Sequence, residues 1–120
     1  MTIQADKKVV QTADTINNLV IVDIKPEFNQ KFKAVVVLEM AQSLKVEDGV
    51  LAMYALTKKD NPNRWYFYEI YASEQAYQQH SQTPHFKDYL DQTAEMVQDK
   101  QAIEIVPSLL MNKGGLSFRD

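Results

Sequence analysis

Apolar and polar positions change period along the chain, and each change marks an element. Leu19–Ile24 is a β-branched run closed by Lys25-Pro26, which predicts a first strand. From Phe28 the spacing becomes helical: Phe28, Phe32, Val35, Val36 and Met40 fall on one face. Pro26 and Glu27 suit the first turn of that helix, and Glu47-Asp48-Gly49 closes it with turn chemistry. Val50–Thr57 predicts a second strand, residues 58–63 a turn, and Arg64–Tyr71 an aromatic third strand. Ser73 is placed to cap a second helix that Thr83-Pro84 interrupts and recaps, with Phe86, Tyr89, Leu90, Thr93 and Val97 on its continuing face. Ala102–Met111 completes the pattern as a last strand, in which Pro107 implies an edge or a bulge.

The order is β-α-β-β-α-β, the split, ferredoxin-like α+β sandwich. Residues 19–111 form the expected domain, preceded by an arm over residues 1–18 and followed by a tail over 112–120. The third strand adds a partner. Trp65, Phe67, Glu69 and Tyr71 share one of its faces, and Tyr66, Tyr68 and Ile70 share the other. Both faces are too apolar for a sheet with one side in water, so a second copy of the sheet is expected on the side away from the helices. Such a homodimer makes a dimeric α+β barrel. The alternative cover is the arm or the tail.

Composition narrows the partners. A chain of 120 residues with net charge −3 carries no basic patch for nucleic acid. No apolar run approaches a membrane span of roughly 18 residues. Residues 1–18 are polar, without the apolar centre of a signal peptide, so the expected location is cytoplasmic. The absence of cysteine excludes disulfides, thiolate metal sites and cysteine nucleophiles. With only three glycines, two of them at Gly114-Gly115, there is no phosphate-cradling or dinucleotide loop.

Several short motifs then combine. Asp48-Gly49, Asp60-Asn61-Pro62-Asn63-Arg64-Trp65, Tyr68-Glu69-Ile70-Tyr71, Ser73-Glu74-Gln75-Ala76-Tyr77, His80 and Thr83-Pro84-His85-Phe86 together resemble the antibiotic biosynthesis monooxygenase family. Departures are Val50 where cysteine is frequent, Met53 where an aromatic is common, and one extra residue in Ser43–Gly49. The resemblance implies a sheet-to-sheet dimer with a pocket between sheet and helices. It also implies a cofactor-independent monooxygenase acting with dioxygen on a small hydroquinone or phenol. The His80–Phe86 and Tyr68–Tyr71 segments are also similar to an isomerase subgroup acting on the phosphorylated autoinducer-2 signal, and a non-catalytic small-molecule binder is the third possibility. The isomerase would need a cation for phosphate, with Arg64 and Lys25 as candidates. Haem-degrading members carry an asparagine on the first strand, and Leu19–Ile24 has none, so no cofactor is expected.

Within that frame Glu69 is the candidate base, since a carboxylate among aromatics is desolvated and its pKa rises. The alternative is a glutamate paired with Lys or Arg at the sheet edge, or hydrogen-bonded to a buried donor. His80, near a helix C-terminus, is favoured charged, and His85, in a first turn, is favoured neutral, a division suited to donor and acceptor roles. A metal site is not expected from two histidines five apart with no evident third ligand. Glu39 interrupts the apolar stripe of the first helix, so it either lines a wet cavity or turns to water. Trp65, Phe67, Tyr71 and Tyr77 are candidate walls for a flat, quinone-like aromatic ligand, or plain core.

Overall fold

The first β-branched run is a strand, and its pairing determines the sheet. In the computed structural model, which describes residues 11–114, β1 (Ile16–Ile24) lies between β3 (Asn61–Tyr71) and β4 (Val97–Ile105). β2 (Val50–Lys58) flanks β3, so the order is β2-β3-β1-β4 with every pairing antiparallel. A 3-10 turn at Pro26–Phe28 leads into α1 (Asn29–Val46), and α2 (Glu74–Ser81) and α3 (Pro84–Thr93) follow β3. This is the expected ferredoxin-like α+β fold. Both expected caps are present: Ser73 Oγ accepts from the Ala76 N–H and Thr83 Oγ1 from the Phe86 N–H.

The apolar stripe of α1 closes the core. Phe32 is fully enclosed and meets Trp65 edge-on at 5.3 Å, while Trp65 and Phe67 stack at 5.9 Å. Val22, Ile24, Val36 and Met96 fill the same cluster. Burying a side chain such as Phe32 contributes about 1.5–3 kcal/mol. A second cluster, Val50, Met53 and Tyr71, packs against Ala76 and Tyr77 of α2. Glu69 therefore stands on β3 between Phe67 of one cluster and Tyr71 of the other.

Three boundaries differ from expectation. β1 begins at Ile16, so it takes three residues assigned to the arm, and β3 begins at Asn61, which shrinks the hairpin turn to Lys59-Asp60. The largest difference is β4. Val97 was expected on a helix, but α3 stops at Thr93, and the Lys25 N–H donates to the Met96 carbonyl at 2.9 Å as β4 starts. β4 is placed by its ladder with β1, from Ile24↔Val97 to Asn17↔Ile105, although its own sequence is polar. Pairing with a distant strand overrides local propensity here. Pro107 lies beyond the strand, and the ladder's irregularity falls instead at Asp23/Ile24. Residues 1–10 of the expected arm and 115–120 of the tail lie outside the described residues.

The sheet face away from the helices carries Leu19, Ile21, Tyr54, Leu56, Tyr66, Tyr68 and Ile70, as the register requires. Leu56 is 56% exposed and Tyr54 48%. Gln11, Leu110 and Asn112 stand against one corner of it. Polar residues share the face, among them Asn17 and Arg64. Arg64 is bonded through two nitrogens to Asp23 at 2.8 and 3.1 Å, which holds the Asp23 carboxyl below its ordinary pKa.

Gly49, between α1 and β2, has no room for a side chain: a Cβ there would lie 2.5 Å from the Ala76 Cβ. Gly49→Ala is expected to lose about 1–3 kcal/mol through overpacking, read as a lower urea midpoint with an unchanged slope.

Candidate functional site

Where the two core clusters separate, the sheet and helices enclose a cavity of about 150 Å³. Phe67, Glu69 and Tyr71 of β3 line its floor, and Glu39, Tyr77 and His80 line it from the helices. The face assigned to Glu69 from alternation is thus correct. Glu39 also turns inward, since its side chain is only 9% exposed and accepts from Ser43 Oγ at 3.0 Å. A second, open groove of about 390 Å³ runs between α1 and α3, and Glu39 and Tyr89 line both spaces.

Burial sets the electrostatics. Desolvation pushes the Glu69 carboxyl above its ordinary pKa, against the opposing effects of the Tyr71 hydrogen bond, His80 and Lys100. The Tyr71 hydroxyl donates to Glu69 Oε1 at 2.9 Å, and burial and Glu69 hold that phenol firmly neutral. Desolvation also raises Glu39, opposed by the Ser43 hydrogen bond and His80. Two carboxyl groups poised to hold a proton thus face one small aromatic space.

His80 is buried at the end of α2, where Thr83 Oγ1 donates to its carbonyl at 2.8 Å. Its Nδ1 meets Glu47 Oε2 at 2.9 Å, and its Nε2 lies 3.6 Å from Glu39 Oε1. A carboxylate only accepts, so the Glu47 contact places the Nδ1 proton and turns Nε2 toward Glu39. His85 does not reach the cavity. It lines the outer groove and meets the same Glu47 Oε2 through Nε2 at 2.6 Å. The expected division between the two rings is therefore joined by a shared carboxylate that sequence reasoning missed. Glu47 had only a turn position to mark it.

Trp65 is a correction. It does not line the cavity; it sits over the start of α1, where its Nε1–H donates to Asn29 Oδ1 at 2.8 Å. Phe67, Tyr71 and Tyr77 do line it, joined by Phe86 and Tyr89. Two polar lining residues were also missed, Asn18 and Lys100. Each fell outside the elements as expected, Asn18 in the arm and Lys100 between the helix face ending at Val97 and the strand expected from Ala102. The phosphate candidates both lie elsewhere: Arg64 pairs with Asp23, and Lys25 Nζ donates to the Glu95 carbonyl. Asn18 removes the ground on which haem was set aside, since β1 does carry asparagine. The cavity's size and the carboxylates facing both nitrogens of His80 nevertheless fit a haem poorly.

A raised folded-state pKa means Glu69 costs nothing when protonated and destabilises as pH climbs from 4.5 through the raised value. Glu69→Gln is therefore expected to raise Tm at pH 8 and to leave it nearly unchanged at pH 4. Tyr71→Phe removes the opposing hydrogen bond, so the Glu69 carboxyl should titrate at still higher pH by carbon NMR.

A family model described as antibiotic biosynthesis monooxygenase matches residues 16–92. No curated protein matches the chain. Among solved structures, a Bacteroides thetaiotaomicron protein provisionally described as an antibiotic biosynthesis monooxygenase is 36% identical with a TM-score of 0.79, over 88% of this chain and 97% of that one. A provisionally described monooxygenase of Fusobacterium nucleatum is 31% identical with a TM-score of 0.85, over 96% of this chain and 52% of that one. A similarly described Lactobacillus acidophilus protein is 36% identical with a TM-score of 0.77, over 80% of this chain and 46% of that one. This chain thus spans about half the length of the last two. Among the described residues, no helix is long and apolar enough to cross a membrane.

Proposed function

The chain belongs to the antibiotic biosynthesis monooxygenase family, and on that premise we propose that it oxidises a small, single-ring hydroquinone or phenol with dioxygen, without an organic cofactor. One observation carries the proposal: a buried, proton-seeking carboxylate, Glu69, lies on the floor of an aromatic cavity of about 150 Å³. An apolar cavity of about 150 Å³ accepts one benzene-sized ring. That size favours a monocyclic substrate over a fused polycycle.

Glu69 takes the phenolic proton, and the electron-rich phenolate passes an electron to dioxygen. Recombination forms a carbon–oxygen bond on the ring. Loss of water then leaves one oxygen atom in the product, so hydroquinone and dioxygen give hydroxyquinone and water. Phe67, Phe86 and Tyr77 hold the ring, and Glu69 returns its proton for water loss. Exclusion of bulk water keeps these charges effective. Lys100 supports a second reading, isomerisation of a small phosphorylated sugar, because it brings a cation to the cavity. Two buried carboxyls beside it disfavour a phosphate dianion.

Oxygen uptake with a panel of monocyclic hydroquinones should exceed autoxidation, and Glu69→Gln should lower kcat by about 10²–10⁴. The rising limb of the kcat/KM profile should lie above the ordinary carboxylate range. Binding without uptake would leave a non-catalytic binder, and conversion of a phosphorylated sugar without uptake would favour the isomerase.

The open sheet face supports a homodimer as the functional unit, because so wide an apolar surface rarely faces water. Light scattering should give twice the 13.8 kDa chain mass at micromolar concentration. Leu56→Glu, on that face, should shift the dimer toward monomer.

A further inference from the structure

Glu47 lines neither the cavity nor the groove, yet both histidines converge on it. His80 Nδ1, His85 Nε2 and a Glu47 oxygen lie within 4.8 Å of one another. Two imidazoles and one carboxylate are the donor set of many zinc and non-haem iron sites. We propose that this junction binds a divalent transition-metal ion of the zinc class, held by Nδ1 of His80, Nε2 of His85 and the Glu47 carboxylate.

Ligand atoms about 2.1 Å from a tetrahedral ion lie about 3.4 Å apart. The His80–Glu47 separation of 2.9 Å and the His85–Glu47 separation of 2.6 Å therefore open by about 0.5–0.8 Å when an ion replaces the shared proton. His85 is free to make that adjustment, because it stands in the first turn of α3 and is not fully buried.

The second observation lies on the far side of the ring. A metal-bound histidine usually donates its other N–H to a carboxylate, which fixes the ring and raises its basicity. His80 Nε2 faces Glu39 Oε1 at 3.6 Å, and Glu39 is itself held by Ser43 at 3.0 Å. Glu39 thereby gains a role that its place in the apolar stripe did not explain.

The ligands come from the end of α1, the end of α2 and the start of α3, so the ion ties three helix termini together. It sits behind His80 as seen from the cavity, and it fixes that ring without contacting a substrate. The inference is independent of the proposed oxidation, since binding is read on the resting protein.

The chain has two histidines and no cysteine, so a tag-free sample reports imidazole binding at this junction alone. Chelator-stripped protein titrated with Co²⁺ at neutral pH should develop visible ligand-field bands saturating at one ion per chain. Zn²⁺ should displace it and raise Tm. Glu47→Gln and His85→Gln should each weaken Co²⁺ binding at least tenfold, and Glu39→Gln about 10–100-fold. The proposal is overturned if the wild-type protein shows neither bands with Co²⁺ nor a Tm change with millimolar Zn²⁺. Equal affinity in wild type, Glu47→Gln and His85→Gln overturns it as well. The wild-type titration decides even if a variant fails to fold.

Discussion

The meeting of two imidazoles with one carboxylate at the ends of three helices is the contact on which the site depends. Glu47 leaves α1 in an extended conformation and turns its side chain back to His80 and His85. Without it, a buried imidazole would lack a partner for its Nδ1 proton, a loss that typically costs about 1–3 kcal/mol. The break between α2 and α3 is shaped around the same contact. Thr83 caps α3 and bonds the His80 carbonyl, so the kink and the ring orientation have one cause.

Inside that frame, the cavity is a space that the apolar core does not fill. β3 alternates toward the helices as Trp65, Phe67, Glu69 and Tyr71, and only Glu69 breaks the aromatic row. The protein keeps a carboxyl where packing alone would favour another apolar side chain. Glu39 does the same on α1. Both carry raised pKa values from the same desolvation, and a hydroxyl answers each: Tyr71 for Glu69, Ser43 for Glu39. The repeated arrangement favours a site for proton transfer over a chance gap in packing.

Much of this was legible in the sequence because it rests on short-range regularity. Strand alternation placed Glu69, Phe67 and Tyr71 on one face, helical spacing exposed Glu39 as an intruder, and Ser73 and Thr83 marked their helix starts. The parts that failed rest on long-range pairing. β4 is polar and owes its place to β1, so Lys100 was left between the helix and the last strand, and Asn18 was left in the arm because polar residues open β1. Trp65 shares the face of Glu69, but alternation carries no information about which stretch of a face meets a cavity. Glu47 follows the last helical turn with no local pattern, and only the folded chain brings it to histidines more than thirty residues away.

The close approach of Gly49 to Ala76 has a further consequence. A side chain at position 49 would overlap Ala76, so the close approach of α2 to the start of β2 requires glycine there. Across the cavity, the open groove between α1 and α3 shares Glu39 and Tyr89 with it. A guest in either space therefore meets the same carboxyl group, while the small residues at positions 49 and 76 set how closely α2 approaches the start of β2.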